Sequence, residues 1–178
     1  MPTEVSNAFE VAFFFMDMAQ DKNEHMQPQK LHGLMFLAQS YYAVATEGRK
    51  LMPAVFVADE RGPIEPNIYM AFSNGRPNVD ADLFISRELE EFLGAIWRRF
   101  GSYPTDKITS IIKNTSAFKA AKKRGSRAEI YLSDMELSFN QNQNIPNVEN
   151  LTKSKVYRTQ SGRSVKIKAW SPGSKITN

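Results

Sequence analysis

The chain has 178 residues, of which 42% are hydrophobic, and this is enough for one domain with a buried core. It contains no cysteine, which excludes disulfides, thiolate metal sites and a cysteine nucleophile, and which is typical of a reducing compartment. Residues 141–178 carry seven basic side chains and one acidic one, which leaves 16 basic and 18 acidic residues for positions 1–140. We therefore predict a body, residues 1–140, of formal charge −2 and a basic tail, residues 141–178, of +6.

Two strongly apolar helices are predicted at the start of the body. Ser6 or Asn7 can cap the first helix, which ends near Asp21, and Pro28 can open the second. Apolar residues surround most of the circumference of both helices, so we expect each to be buried between neighbours. Gly33, inside the second helix, indicates close packing at that point.

Neither apolar run is expected to enter a membrane or to direct secretion. Residues 11–18 resemble the core of a signal peptide only superficially, because Glu4 and Glu10 precede them and Asp17 interrupts them. Residues 31–45 are too few to span a bilayer and include polar side chains. The sequence thus predicts a soluble protein of the cytoplasm.

The later elements are shorter. Residues 54–58 form an apolar, extended segment that ends in a polar Gly-Pro turn at 59–63. Ser133 with Glu136 makes a capping box for a last short helix. Between them, helices are predicted to begin at Pro66 and to cover residues 86–100, 105–113 and 116–124, with 73–82 as a loop. The predicted fold is mainly α, a compact helical bundle with a small β element and a flexible basic C-terminal tail.

No group of residues favours catalysis. His25 and His32 are seven positions apart, whereas metal-binding pairs on one helical face stand three or four apart. Asp59 and Glu60 are adjacent in a turn, where carboxylates are usually solvated and point in different directions. No nucleophile elbow or phosphate-binding loop is present. We predict no enzyme activity, no cofactor and no metal.

Basic residues leave a second interpretation open. The stretch KAAKKRGSR, residues 119–127, and the basic tail could both contact the phosphates of a nucleic acid. A basic run at the end of a helix also has a simpler explanation, because it complements the helix dipole. A nucleic-acid-binding regulator is therefore the alternative to a protein-binding module.

Two sequence blocks in this chain are similar to those of a known family. QPQKLHGLMFLAQSYY at 27–42 and DERGPIEPNIYMAF at 59–72, followed by the weaker block NTSAFKAAKKRG at 114–125, resemble the Panacea antitoxin-domain family, which includes SocA-type and GepA-like, phage-associated proteins. The resemblance covers about residues 7–140. Departures from the family pattern are His32 and Gly33 in the first block, Asp59 in the second, and Ala117 with Phe118 in the third.

The resemblance implies a helical domain that neutralises a cognate toxin by direct contact, without a cofactor, or that delivers its toxin to the ClpXP protease as an adaptor. Lys30, Leu31, Phe36 and Gln39 match the first block, and Gly62 and Pro63 match the second. Of these, Leu31, Phe36, Gly62 and Pro63 are expected to shape the domain. Tyr69 also matches and is kept as a candidate aromatic anchor, although a large side chain on a helix is more often buried. The candidate partner-binding residues, with the polar ones expected to be exposed, are Lys30, Gln39, Asp59, Glu60, Arg61 and Tyr69.

Overall fold

The structure, a computed structural model, describes residues 3–78 and 85–140 in full, and the backbone of residue 141 and of two short strands at 156–158 and 164–166. These residues form a helical body with a small antiparallel sheet, so the predicted fold class is confirmed. The helices are α1 (Ala8–Gln20), α2 (Pro28–Ala45), α3 (Pro66–Ala71), α4 (Arg87–Phe100), α5 (Thr105–Lys113), α6 (Ser116–Arg124) and α7 (Leu132–Gln141). The strands are β1 (Phe56–Asp59), β2 (Gly62–Ile64), β3 (Glu129–Ile130), β4 (Val156–Arg158) and β5 (Ser164–Lys166).

Short polar side chains fix where most helices begin. Asn7 caps α1 in a capping box with Glu10, and the hydroxyl of Ser86 accepts the backbone N–H of Leu89 at the start of α4. Both starts agree with the sequence predictions. The capping box predicted at Ser133 is wrong, because α7 already begins at Leu132 and Ser133 lies inside the helix.

Helix α2 runs through the centre of the body. All side chains from 31 to 43 are buried, because α1, α4, α5, α7 and β2 pack around the helix. The predicted burial of this helix is confirmed. Gly33 faces α5, where a Cβ atom would lie only 2.6 Å from Cγ2 of Ile108, so the glycine allows close packing of the two helices.

The three-stranded sheet has the order β2-β1-β3, and both neighbouring pairs are antiparallel. Phe56 and Ile130 are paired and point into the core. Pro63 in β2 has no N–H to offer, and its carbonyl accepts a hydrogen bond from Gln29 Nε2 at 3.2 Å. On the opposite edge, Arg124 donates to the carbonyl of Glu129 at 2.7 Å. A side chain therefore donates a hydrogen bond to a main-chain carbonyl of each outer strand.

In the tail, β4 and β5 pair as an antiparallel ladder, with Tyr157 opposite Val165. The remainder of the predicted flexible tail and part of the predicted loop at 73–82 lie outside the described residues. Among the described helices, none combines the length and apolar character that crossing a bilayer requires.

Candidate functional site

The most sharply defined polar feature of the body is the connection between β1 and β2, which we name the hairpin corner, residues 59–62. Asp59 pairs with Gly62, so only Glu60 and Arg61 form the turn. Gly62 has a φ of 127°, and a Cβ there would lie 2.8 Å from Nε2 of Gln29. The backbone conformation thus requires a glycine, whereas the end of the Gln29 side chain could move aside.

Asp59 holds the corner to the rest of the sheet. Its side chain is only 11% exposed, and Oδ2 accepts a hydrogen bond from Nε of Arg127 at 2.9 Å. Oδ1 accepts the backbone N–H of Arg61 at 3.2 Å. Burial acts to raise the pKa of Asp59, but these hydrogen bonds and the charges of the two arginines outweigh it and lower the pKa below its ordinary value. The carboxylate is therefore a charged structural anchor.

Two further elements support the same corner. Nζ of Lys113, at the end of α5, donates to the carbonyl of Glu60 at 2.9 Å, and Gln29 at the start of α2 bonds to Pro63. The side chains of Glu60 and Arg61 remain exposed. The corner therefore presents two opposite charges on a backbone that three parts of the chain hold in place.

A buried polar contact lies where β2 passes into α3. Nδ1 of His32 accepts the backbone N–H of Glu65 at 3.3 Å, and the Glu65 carboxylate caps α3 by accepting the N–H of Ile68 at 2.7 Å. Burial lowers the pKa of His32 to about 4, so the imidazole is neutral near pH 7. One turn later, Tyr69 lies beside the imidazole, with 6.3 Å between ring centroids, and is 43% exposed.

The structure places three predicted partner-binding residues together at the corner, namely Asp59, Glu60 and Arg61, although Asp59 is buried rather than exposed as predicted. Tyr69 is on α3, just beyond β2, and its exposure contradicts the general expectation that such a residue is buried. Next to it Met70 is also exposed.

Two predicted partner-binding residues do not belong to this surface. Gln39 is 1% exposed, and its Oε1 accepts the backbone N–H of Met52 at 3.2 Å, so its predicted exposure is wrong. The reason is that neighbours surround α2 on all sides. Lys30 is also largely buried, with its Nζ 3.9 Å from the Glu24 carboxylate and 5.9 Å from the centre of the Trp97 ring. Its predicted exposure is wrong as well.

Three residues that support the corner were not assigned to it from the sequence. The sequence indicates Arg127 only as part of the basic stretch at 119–127, and it indicates no role for the side chains of Gln29 and Lys113. Arg127 lies 68 positions from Asp59, and no local pattern links the two. The left-handed backbone of Arg127, with φ 53°, does not show in the sequence either, since a non-glycine residue rarely adopts it.

Candidate catalytic groups are not brought together. His32 is buried against the backbone of Glu65, while Asp59 is bound by two arginines. Across the residues that the structure describes, no three histidine, aspartate or glutamate side chains form a group that could hold a metal ion. Comparisons with family models, with curated proteins and with solved structures find no match for this chain.

Proposed function

We propose that the chain is an antitoxin-like module that binds a cognate toxin protein and neutralises it by direct contact through the hairpin corner. The proposal rests on one observation: Glu60 and Arg61 are exposed on a turn that Asp59, Lys113 and Gln29 help to hold in place. A turn that is already ordered loses little conformational entropy on binding. The resemblance of the two sequence blocks to the Panacea family supports the same conclusion, since the second block contains this corner.

The proposed partner is a protein of the cytoplasm, and the proposed action needs no cofactor and no chemical step. The charged side chains of the corner suit this role because opposite charges on neighbouring residues select a complementary surface and set its orientation. Tyr69, on the adjoining helix, is partly exposed and gives the same region a candidate aromatic anchor.

Co-expression with the product of the adjacent gene tests the proposal. We expect that product to arrest growth when expressed alone, and the chain to restore growth and to copurify with it. Arg61→Glu should weaken the complex by about tenfold, because it reverses a largely exposed charge; it also removes the 3.8 Å ion pair with Asp59, while the backbone bond from residue 61 to Asp59 is kept. Arg87→Glu on α4, where the side chain is 90% exposed, is the matched control. Full rescue and unchanged affinity with Arg61→Glu would rule out the corner as the contact.

A proteolytic adaptor is the more specific form of this proposal. In that case the toxin level falls only in cells that contain ClpXP, and the tail is a candidate contact for the protease. Helix α7 ends at Gln141, so removing residues 142–178 leaves the last helix of the body complete. Delivery that is lost on this truncation, with copurification of the toxin retained, supports the adaptor. A toxin level that is independent of ClpXP supports simple sequestration.

Nucleic-acid binding is the second candidate, because six basic and no acidic residues lie between positions 113 and 127. Helix α6 buries Ala117, Phe118 and Ala121, so Lys119 and Lys123 point outward. Counterion release predicts that such binding weakens steeply as salt is raised. Binding of duplex DNA that survives physiological salt and that is lost in Lys119→Glu/Lys123→Glu would favour this candidate over the first.

A further inference from the structure

Two exposed apolar residues lie side by side next to the sheet. Phe56 and Ile130 pair across β1 and β3 and are buried, at 1% and 2% exposure. Side chains alternate along a strand, so the flanking residues Val55 and Tyr131 point to the opposite side. They are 42% and 46% exposed, and continuing the strand register places them opposite each other. Together they form a small apolar spot on the outside of the body.

Arg124 holds the tyrosine of this spot in place. Its guanidinium carbon lies 4.3 Å from the centre of the Tyr131 ring. The same guanidinium donates to the Glu129 carbonyl at 2.7 Å and to the Asp134 carboxylate at 3.3 Å. An exposed aromatic ring fixed in this way can bind a partner at a low entropic cost, because its orientation is already set.

The chain segment that leads into β3 is basic, whereas the rest of the body is acidic. Residues 113–127 carry six basic side chains and no acidic one, and the remaining positions of 1–140 carry 10 basic and 18 acidic ones. Lys119 and Lys123 are exposed on the outer side of α6, which packs against β1 and β3. We define the α6–β3 face as Val55, Tyr131 and Arg124, together with the exposed Lys119 and Lys123 of the adjoining helix.

We infer that the α6–β3 face binds an acidic segment of the partner protein that inserts an apolar side chain against Tyr131 and Val55. The inference rests on the proposed function and specifies the chemistry of the partner. The cations of the face attract acidic groups, and the apolar spot gives the segment a fixed position. Because Arg124 occupies the Glu129 carbonyl, the segment docks through its side chains rather than by adding a strand to the sheet.

The distribution of acidic residues favours a protein over a nucleic acid. Asp59, Glu129 and Asp134 lie among the cations, and each contacts an arginine with its side chain or its carbonyl. A phosphate backbone is negative at every nucleotide and would meet these carboxylates with repulsion. A protein segment can place neutral or basic groups at the same points.

A fluorescent synthetic peptide, rich in glutamate with one central phenylalanine, tests the inference on the full-length chain. We expect Lys119→Glu/Lys123→Glu to weaken its binding by about tenfold, and Tyr131→Ala to weaken it by about fivefold. The matched control is Arg87→Glu/Arg98→Glu on α4, which should change the affinity by less than about twofold, since these arginines lie outside the face. A peptide with serine in place of phenylalanine should bind as weakly to the wild type as the original does to Tyr131→Ala.

Other results would overturn the inference. If Arg87→Glu/Arg98→Glu weakens peptide binding as much as Lys119→Glu/Lys123→Glu does, net charge alone attracts the peptide. If Tyr131→Ala leaves peptide binding unchanged, Tyr131 is not the apolar contact. If duplex DNA binds more tightly than the peptide and depends on Tyr131 in the same way, the ligand of the face is a nucleic acid. If the chain self-associates and Lys119→Glu/Lys123→Glu abolishes this, the ligand is a second copy of the chain. Growth rescue that needs Arg61 but not Tyr131 leaves the proposed function standing without this face. Peptide binding without any growth rescue leaves the face standing as a binding surface and removes the proposed function.

Discussion

Burial of His32 makes the body sensitive to mild acid. The residue is 2% exposed, and burial lowers its pKa from the ordinary 6.5 to about 4. The groups around it are the backbone N–H of Glu65, whose carboxylate caps α3, and the ring of Tyr69. Protonation would place a charge in the core and would also remove the acceptor for the Glu65 N–H.

The sign and size of the effect follow from linkage. The unfolded chain takes up the proton at a higher pH than the folded chain, so the stabilisation is complete above the unfolded pKa and is lost as pH falls toward the folded pKa. With pKa values of about 4 and 6.5, the free energy of unfolding drops by about 2 kcal/mol between about pH 7 and about pH 5, and by about 3 kcal/mol at about pH 4.

Urea unfolding followed by tryptophan fluorescence measures this drop. His32→Gln keeps an acceptor for the Glu65 N–H but does not titrate, so its stability should be nearly constant over that range. His25→Gln, at an exposed position, is the matched control and should lose stability as the wild type does. NMR titration of the wild-type imidazole signals gives an independent result. If His32→Gln lost stability as steeply as the wild type, the reasoning about its burial would be wrong.

Three other substitutions test the packing and the corner. Gly62→Ala should cost about 2 kcal/mol because of its positive φ; a neutral effect in urea unfolding would contradict this. Gly33→Ala should destabilise by about 1–3 kcal/mol, and Ile108→Ala in the same chain should make the glycine substitution nearly neutral, as a double-mutant cycle would show. Arg127→Gly removes a cation from Asp59, so the pKa of that carboxyl should rise in an NMR titration; an unchanged value would exclude the ion pair.

Helix boundaries were predictable because their signals are local. Asn7 and Ser86 each accept a backbone N–H three residues ahead, and Pro28 opens a helix in which its missing N–H is not needed. Such signals depend on residues that are close in the sequence. The capping box at Ser133 failed, although its residues have the required spacing, because the helix begins at Leu132, two residues earlier than that box implies.

Exposure within α2 could not be predicted in the same way. Gln39 is a polar residue in an apolar helix, and a residue of that kind usually marks the face toward water. Here no face of α2 meets water along 31–43. Ser40 donates to the Phe36 carbonyl and Oε1 of Gln39 accepts from Met52, whereas Nε2 of Gln39 and the Tyr41 hydroxyl are buried without a hydrogen-bond partner among the described residues. The environment of these side chains depends on five other elements, which the local pattern does not describe.

Because α2 is enclosed, the proposed recognition uses the elements around it, and β1 connects the two surfaces that we propose for that role. Asp59 ends the strand at the hairpin corner, and Val55 lies four residues earlier at the α6–β3 face, a distance of about 13 Å along an extended chain. Two arginines three residues apart contact the two surfaces: Arg127 binds Asp59 at the hairpin corner, and Arg124 lies against Tyr131 at the α6–β3 face. A partner protein of ordinary interface size, about 800 Å² per side, can cover both at once. Strand β1 would then fix the distance between the charged contact at the hairpin corner and the apolar contact at the α6–β3 face. A fixed distance of this kind lets the chain select one partner among many.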